Sequence, residues 1–251
     1  MTFAIKRRHL PEENHDQLLY HRHNDPHRYT STLADVILGG QDGLVNVLGI
    51  ILGIAAATSD PRIVMVAGFA ATFAESISMA AVAYTSTLAE TAHYESERER
   101  EYRHVRMVPA VEREEVRAIY QQKGLDGELL DQIVEKITAD EDVWVGVMMA
   151  EEHQLIPSNR QDALKSAIVV GVAAIVGSMI PLIPFLFLPV QTSIWVSLLI
   201  SGLTLFVVGA YKARVTVGHP GKSGFEMAVI GIISALVGYI VGLILKVPST
   251  S

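Results

Sequence analysis

Two long apolar segments each contain a single charged residue, and in both segments that residue is a carboxylate. Val36–Thr58 reads VILGGQDGLVNVLGIILGIAAAT around Asp42, and Ile63–Ala89 reads IVMVAGFAATFAESISMAAVAYTSTLA around Glu75. A helix of about 20 residues crosses the roughly 30 Å hydrocarbon core of a membrane, so both segments are long enough to span it. A lone carboxylate at the bilayer centre costs about 2.5–3.5 kcal/mol on insertion scales, so it should face a protein interior, a water-filled path or a cation. The two segments predict a membrane protein that handles a positively charged species.

Three further apolar segments, 166–190, 191–211 and 227–245, contain no Asp, Glu, Lys or Arg. Together with the first two they predict an all-α membrane protein with five spans. The third and fourth segments adjoin directly, and the third contains several prolines. A kinked third helix and a tight turn are therefore expected, so that these two spans form a hairpin.

Lysine and arginine are distributed unevenly between the two sides that the spans define. Five lie in the N-terminal tail, ten in the insert 90–165 and three in the loop 212–222, whereas only Arg62 and Lys246 lie on the other side. By the positive-inside rule the N-terminus and the insert should be cytosolic, and the C-terminus should lie on the opposite side. The predicted organisation is a histidine-containing tail (1–34), spans 1 and 2 (35–89), the insert (90–165), and spans 3 to 5 (166–251).

The insert contains 18 of the 27 acidic residues of the chain. Breaks at Pro109, Gly124 and Pro157 divide it into three predicted soluble helices. These helices are Pro109–Lys123, Asp126–Thr138 and Asp140–Ile156. No Gly or Pro occurs between Gly68 and Pro109, so the second span is expected to continue out of the membrane as one long helix.

Side chains that commonly bind metals recur at helical spacing in the insert. Residues three or four positions apart share a helix face, and this spacing defines three rows of candidate ligands. The rows are Glu97, Glu101 and His104; Glu112 and Glu115; and Met148 or Met149 with Glu152. Carboxylate, imidazole and thioether ligands suit Fe²⁺, Mn²⁺, Co²⁺, Ni²⁺ or Zn²⁺ better than Ca²⁺ or Mg²⁺, which prefer oxygen alone. The chain has no Cys, which excludes thiolate ligands.

The same patterns also have purely structural explanations. Acidic runs that alternate with Arg, such as ESEREREYRH, are typical of solvated helix faces. Methionines at helical positions are typical of core packing. The N-terminal histidines His21, His23 and His27 could gather metal or could be incidental to function. Spacing alone leaves these alternatives open.

Four motifs in order along the chain carry a more specific signal. They are DVILGGQDGLVNVLGIILGI in the first span, AESISMAAVAY in the second, WVGVMMAEEHQL before the third, and SAIVVGVAAIVGSMIPLIPFL within the third. In this order and spacing the chain resembles the vacuolar iron transporter family of plants and fungi and its prokaryotic relatives. The resemblance extends from about Asp35 to Leu245, which is nearly the whole chain.

This resemblance implies a five-span homodimer that exports Fe²⁺, and often Mn²⁺ and related ions, from the cytosol in exchange for protons. It also implies that the cytosolic three-helix domain collects the metal. The implied translocation residues are Asp42, Glu75 and Met79, with Asn46 one turn from Asp42. The implied ligands of the cytosolic domain are Glu101, Glu112, Glu115, Met148, Met149 and Glu152. Where the family has a carboxylate three residues after Glu101, this chain has His104, whose imidazole still binds Fe²⁺ or Zn²⁺ but lacks a negative charge.

The leading functional hypothesis is a proton-coupled antiporter for Fe²⁺, with Mn²⁺, Co²⁺ and Zn²⁺ as further candidates. A membrane-anchored metal buffer or sensor and a passive cation channel are the alternatives. No enzyme activity, catalytic cofactor or nucleic-acid partner is expected. In a prokaryote the protein should lie in the plasma or inner membrane, and in a eukaryote in the vacuolar membrane.

Overall fold

The computed structural model describes residues 30–58, 60–157, 160–216 and 218–245, and regular secondary structure within these ranges is entirely α-helical. In chain order the helices are α1 (Thr30–Ala57), α2 (Pro61–Met107), α3 (Pro109–Gln122), α4 (Gly127–Thr138), α5 (Glu141–Glu151), α6 (Arg160–Phe187), α7 (Val190–Val215) and α8 (Pro220–Ile244). The predicted all-α class is confirmed. The histidines of the N-terminal tail lie outside the described residues.

Five of the described helices, α1, α2, α6, α7 and α8, are long and apolar enough to cross a membrane. This confirms the five-span prediction. Helix α2 has 47 residues, more than twice the length of about 20 that a bilayer requires. As the lack of Gly and Pro predicts, it continues from the apolar segment into the charged insert without a break.

The chain divides into two compact units. One unit, Ile77–Ile168, contains the end of α2 and all of α3, α4 and α5, and we call it the insert unit. The segments before and after it form the other, which we call the span unit. The insert unit is wider than the predicted domain 90–165 because α2 runs through residue 90 as a continuous helix.

Within the span unit, α1 packs closely on two helices through glycine. A Cβ atom on Gly43 would lie 2.4 Å from the carbonyl oxygen of Ala174 on α6. A Cβ atom on Gly53 would lie 2.7 Å from the carbonyl oxygen of Gly238 on α8. Any larger residue would push the backbones apart, so glycine is what permits these contacts. They fix the position of α1, the helix that carries Asp42.

Helices α6 and α7 form the predicted hairpin. Pro181 and Pro184 lie inside α6, and Pro189 precedes the first residue of α7. Ser197 of α7 donates its hydroxyl to the carbonyl oxygen of Pro181 at 2.7 Å, and Ser193 donates to that of Pro184 at 3.1 Å. Because hydrocarbon offers no hydrogen-bonding groups, buried hydroxyls must find partners within the protein, and these carbonyl oxygens provide them.

The insert unit is built around an apolar core to which four helices contribute. Val105 of α2, Val116 of α3, Val134 of α4 and Val145 of α5 are all buried in it. On each helix the core residues recur at helical spacing, so the remaining positions carry the charged side chains. Packing of this core fixes which faces of α2, α3 and α5 approach one another.

Helix α5 is shorter than predicted, since it ends at Glu151 rather than at Ile156. The amide of His153 donates to the carbonyl oxygen of Met148 at 3.2 Å, and Gln154 adopts a φ of 55°. A residue in the left-handed region cannot continue a right-handed helix, so the chain turns at this point. The turn takes His153 off the end of α5.

Candidate metal-binding sites

The two lone carboxylates of the apolar segments lie beside each other in the span unit. Asp42 on α1 and Glu75 on α2 are close enough for their carboxyl groups to share a hydrogen bond. Such a bond requires that one group carries a proton, because two ionised carboxylates have no donor between them. When both are ionised they repel each other unless a cation lies between them. The pair can therefore exchange a proton for a metal ion.

The other two predicted pathway residues lie one helical turn from this pair. Asn46 donates its side-chain amide to Oδ2 of Asp42 at 3.2 Å. Met79 follows Glu75 by one turn on α2 and is half-buried. The side-chain amide of Asn46 thus orients the carboxylate of Asp42.

A second pair of carboxylates is buried in the insert unit. Glu101 on α2 is 2% exposed and Glu112 on α3 is 4% exposed. Oε1 of Glu101 and Oε2 of Glu112 are buried without a hydrogen-bond donor. Among the described residues neither carboxylate forms a salt bridge with Lys or Arg, and the ion-pair partner of each is a histidine. A buried carboxylate without a full set of partners is costly, so this pair needs a proton or a cation.

Histidines contact both buried carboxylates. Nε2 of His153 lies 3.1 Å from Oε2 of Glu101, and Nδ1 of His104 lies 3.5 Å from Oε1 of Glu112. One ligand atom each from Glu101, Glu152 and His153 lie within 4.8 Å of one another. The structure thus brings residues from α2, from α3 and from the end of α5 to one place.

Burial and neighbouring charges raise the pKa values of two carboxyl groups in this cluster. Burial is the main cause that raises the pKa of Glu112 from 4.5 to about 8, and the neighbouring carboxylates Glu101 and Glu115 add to it. Burial also raises the pKa of Glu152, with the charges of Glu115 and Glu101 acting in the same direction and those of His153 and His104 opposing it. Glu115 therefore belongs to the same group of interacting charges. At neutral pH Glu112 therefore holds a proton that a metal ion would displace.

The remaining predicted ligands have other surroundings. Glu97 forms a salt bridge with Arg100 at 3.1 Å. Met148 and Met149 are 0% and 1% exposed and belong to the apolar core of the insert unit. As metal ligands, Glu97, Met148 and Met149 stay predictions.

His153 is a candidate site residue outside the three ligand rows predicted from the sequence. It lies directly after Glu152 and four residues after Met149, so on the longer predicted α5 it would have shared a face with Met149 of the third row. The turn at Gln154 places it beside Glu101, and the amide of Leu155, a residue packed against the core, donates to the carbonyl oxygen of Met149 at 2.9 Å. The available signal in the sequence was an imidazole next to a predicted carboxylate ligand and four residues after a predicted thioether ligand.

The arrangement suits a divalent transition metal. Several carboxylate oxygens with one or two imidazole nitrogens form a mixed ligand set that Fe²⁺, Co²⁺ and Zn²⁺ accept readily. Once a metal ion has displaced the proton of Glu112, the ionised carboxylates Glu101 and Glu112 lie in a region of low dielectric constant, where their attraction to the cation is stronger than in water.

Comparison with known proteins gives consistent matches over nearly the whole chain. The model of the VIT family matches residues 33–243. Vacuolar iron transporter 1 of Tulipa gesneriana is 30% identical over 230 residues, which cover 91% of this chain and 93% of that protein. Vacuolar iron transporter 1 of Arabidopsis thaliana is 30% identical over 229 residues, 90% of this chain and 92% of that protein. The vacuolar iron transporter of Plasmodium falciparum (isolate 3D7) is 29% identical over 251 residues, 94% of this chain and 91% of that protein.

Proposed function

The chain belongs to the VIT family, and from this premise we propose that it is an antiporter that exports Fe²⁺ from the cytosol in exchange for protons. Mn²⁺, Co²⁺ and Zn²⁺ are further candidate substrates. The five apolar helices and the match to membrane transporters make it an integral membrane protein. The assignment of iron follows the relatives, all three of which are named vacuolar iron transporters.

The observation that carries the proposal is the pairing of Asp42 and Glu75 between two apolar helices. An ionised carboxylate in such a segment costs free energy unless it binds a cation or a proton. Because protons and metal ions compete for the same carboxylate oxygens, such a pair couples the movement of metal to the movement of protons. Protonation of the pair on the side away from the cytosol would release the metal, and deprotonation on the cytosolic side would allow reloading.

In this proposal the cluster of the insert unit collects metal from the cytosol. Its buried carboxylates, Glu101 and Glu112, lie among three further interacting side chains, Glu115, Glu152 and His153. Its cytosolic position follows from the excess of Lys and Arg in the insert and in the loop 212–222. The C-terminus then lies on the opposite side of the membrane, and the working form would be a homodimer.

A membrane-anchored metal buffer is the second candidate, and the cluster in the insert unit favours it. Glu101, Glu152 and His153 lie near enough to one another to bind an ion within a single unit of the protein. A buffer of this kind would not need the pair Asp42 and Glu75. The two functions therefore differ in their dependence on that pair.

Metal uptake into proteoliposomes tests the proposal. Fe²⁺, Mn²⁺, Co²⁺ and Zn²⁺ are compared with and without an opposing proton gradient, in the wild type and in Asp42→Asn and Glu75→Gln. Both variants remove a charge with little change of shape, so we expect a folded protein that binds metal in the insert unit but transports none. Glu90→Gln, which removes an exposed carboxylate from the same helix as Glu75, is the matched control and should transport normally.

Uptake near the wild-type rate in Asp42→Asn or Glu75→Gln would reject the pathway and favour the buffer. Uptake that depends on the pair but not on the proton gradient would indicate a passive channel instead. Transport that requires both would support antiport.

A further inference from the structure

We propose that His153 is a direct ligand for metal in the insert unit and that its imidazole biases this site toward Zn²⁺, Co²⁺ and Fe²⁺ over Mn²⁺. The inference rests on the proposed function, because it concerns the site that collects the transported ion. It adds a residue that neither the predicted ligand rows nor the family resemblance includes.

Three potential ligand atoms lie close together in the insert unit. One atom each from Glu101, Glu152 and His153 lie within 4.8 Å of one another. Ligands about 2.0–2.2 Å from a transition metal ion are at most about 4.4 Å apart, when they lie on opposite sides of it. Small side-chain rotations would therefore bring all three atoms into one coordination shell. Glu152 and His153 are consecutive residues after the end of α5, so one turn of the chain supplies two of the ligands.

Glu101 has a buried carboxylate oxygen without a hydrogen-bond donor. The side chain of Glu101 is 3% exposed, and its Oε2 contacts His153 while its Oε1 is buried without a hydrogen-bond donor. If His153 served only to satisfy Glu101, it would leave half of that carboxylate unsatisfied inside the unit. A cation shared by Glu101 and His153 satisfies both groups, which explains why a buried acid lies here without Lys or Arg.

The chemical type of the ligands favours some transition metals over others. Imidazole nitrogen binds Zn²⁺, Co²⁺ and Fe²⁺ more strongly than Mn²⁺, whereas carboxylate oxygen alone discriminates less. His104, which contacts Glu112 at 3.5 Å, brings a second imidazole to the same cluster. The cluster therefore combines nitrogen and oxygen ligands, and His153 is the imidazole closest to a carboxylate.

The experiment measures metal affinity of the full-length protein in detergent, in an Asp42→Asn, Glu75→Gln background that removes the carboxylates of the span unit. Metal-free protein is titrated with Zn²⁺ and with Mn²⁺ against a competing chelator. Variants are His153→Ala and His153→Gln, and the second keeps an amide that can donate to Glu101 but is a poor ligand. His93→Ala, which removes an exposed histidine of α2 outside the cluster, is the matched control.

We expect both His153 variants to lower Zn²⁺ affinity by roughly 10-fold or more, since even residues that only support a ligand contribute about this much. Mn²⁺ affinity should fall less, so that the ratio of Zn²⁺ to Mn²⁺ affinity decreases. His93→Ala should leave both affinities unchanged. Thermal unfolding of the metal-free proteins identifies variants that are merely unstable, and His153→Gln decides the matter if His153→Ala does not fold.

A fourth variant, Glu101→Gln, separates the inference from the proposed function. Loss of Zn²⁺ binding in Glu101→Gln together with wild-type affinity and preference in His153→Gln would overturn the role of His153 and leave the collecting site intact. Wild-type binding in both would show that the cluster collects no metal. An equal loss of Zn²⁺ and Mn²⁺ affinity in the His153 variants would overturn the proposed preference.

Discussion

Glu112 should make the metal-free insert unit less stable as the pH rises. Its pKa is raised from 4.5 to about 8, chiefly by burial and then by Glu101. A group whose pKa is higher in the folded state stabilises the fold fully below its unfolded pKa and loses that contribution as pH rises through the folded pKa. The stabilising contribution of Glu112 should therefore be lost between about pH 4.5 and about pH 8.

The magnitude follows from the size of this shift. One pKa unit corresponds to about 1.4 kcal/mol, so a shift from 4.5 to about 8 has an upper limit on the order of 5 kcal/mol of unfolding free energy. The carboxyl is buried, since its side chain is 5% exposed, so screening by solvent reduces the effect only partly. Rearrangement of the cluster at high pH will reduce it further, and a loss of about 2–4 kcal/mol between pH 5 and pH 8 is the expected range.

The test compares the wild type with Glu112→Gln, which has nearly the same shape but does not titrate. Trp144 is buried in the core of the insert unit, so its fluorescence reports unfolding of that unit once Trp195 has been replaced by Phe. Urea unfolding without metal should show that Glu112→Gln is more stable than the wild type at pH 8 by about 2–4 kcal/mol and similar to it at pH 5. Saturating metal should remove the difference or reverse it, because the wild type retains a ligand that the variant lacks.

Glu114→Gln provides the matched control, since Glu114 lies on the same helix and its side chain is 69% exposed. It should change the pH dependence of stability very little. If the difference between wild type and Glu112→Gln does not change between pH 5 and pH 8, Glu112 does not titrate in this range. The assignment of a buried proton-binding pair to Glu101 and Glu112 would then be wrong.

Two further predictions test the metal cluster and the packing of α1. Metal affinity of the insert unit should rise between pH 5.5 and pH 8, because the ion must displace protons from groups with raised pKa such as Glu112 and Glu152. Zn²⁺ titrations at several pH values measure this dependence. An affinity that does not change with pH would contradict the prediction. Gly43→Val should destabilise the span unit by about 1–3 kcal/mol or more, because its Cβ would lie 2.4 Å from the carbonyl oxygen of Ala174. Gly146→Ala on α5, where no atom lies within 4 Å of the new Cβ, should instead be neutral or stabilising by up to about 1 kcal/mol. Thermal unfolding in detergent compares Gly43→Val with Gly146→Ala. Equal effects of the two substitutions would show that Gly43 is not needed for the packing of α1 on α6.

The sequence by itself determined the features that depend on local pattern. Five apolar segments of sufficient length predict five helices, and the structure has them. The lack of Gly and Pro after Gly68 predicts the continuous helix α2, and the prolines near the end of α6 predict the hairpin with α7. The lone carboxylates Asp42 and Glu75 can be identified from the sequence alone, because an ionised side chain in an apolar segment is costly unless it has a function. Spacing also placed Glu101, Glu112, Glu115 and Glu152 among the candidate ligands.

Only the tertiary structure decided which of the candidates meet. Glu101 and His153 are 52 residues apart in the chain and come within 3.1 Å because α5 ends early at a left-handed Gln154. The burial that raises the pKa of Glu112 comes from packing of α2 against α3 and α5. This packing cannot be predicted from the spacing of residues along one helix. Helical spacing relates side chains on one helix, whereas a metal site needs side chains from several helices. Its members are therefore set by how the apolar core holds those helices together.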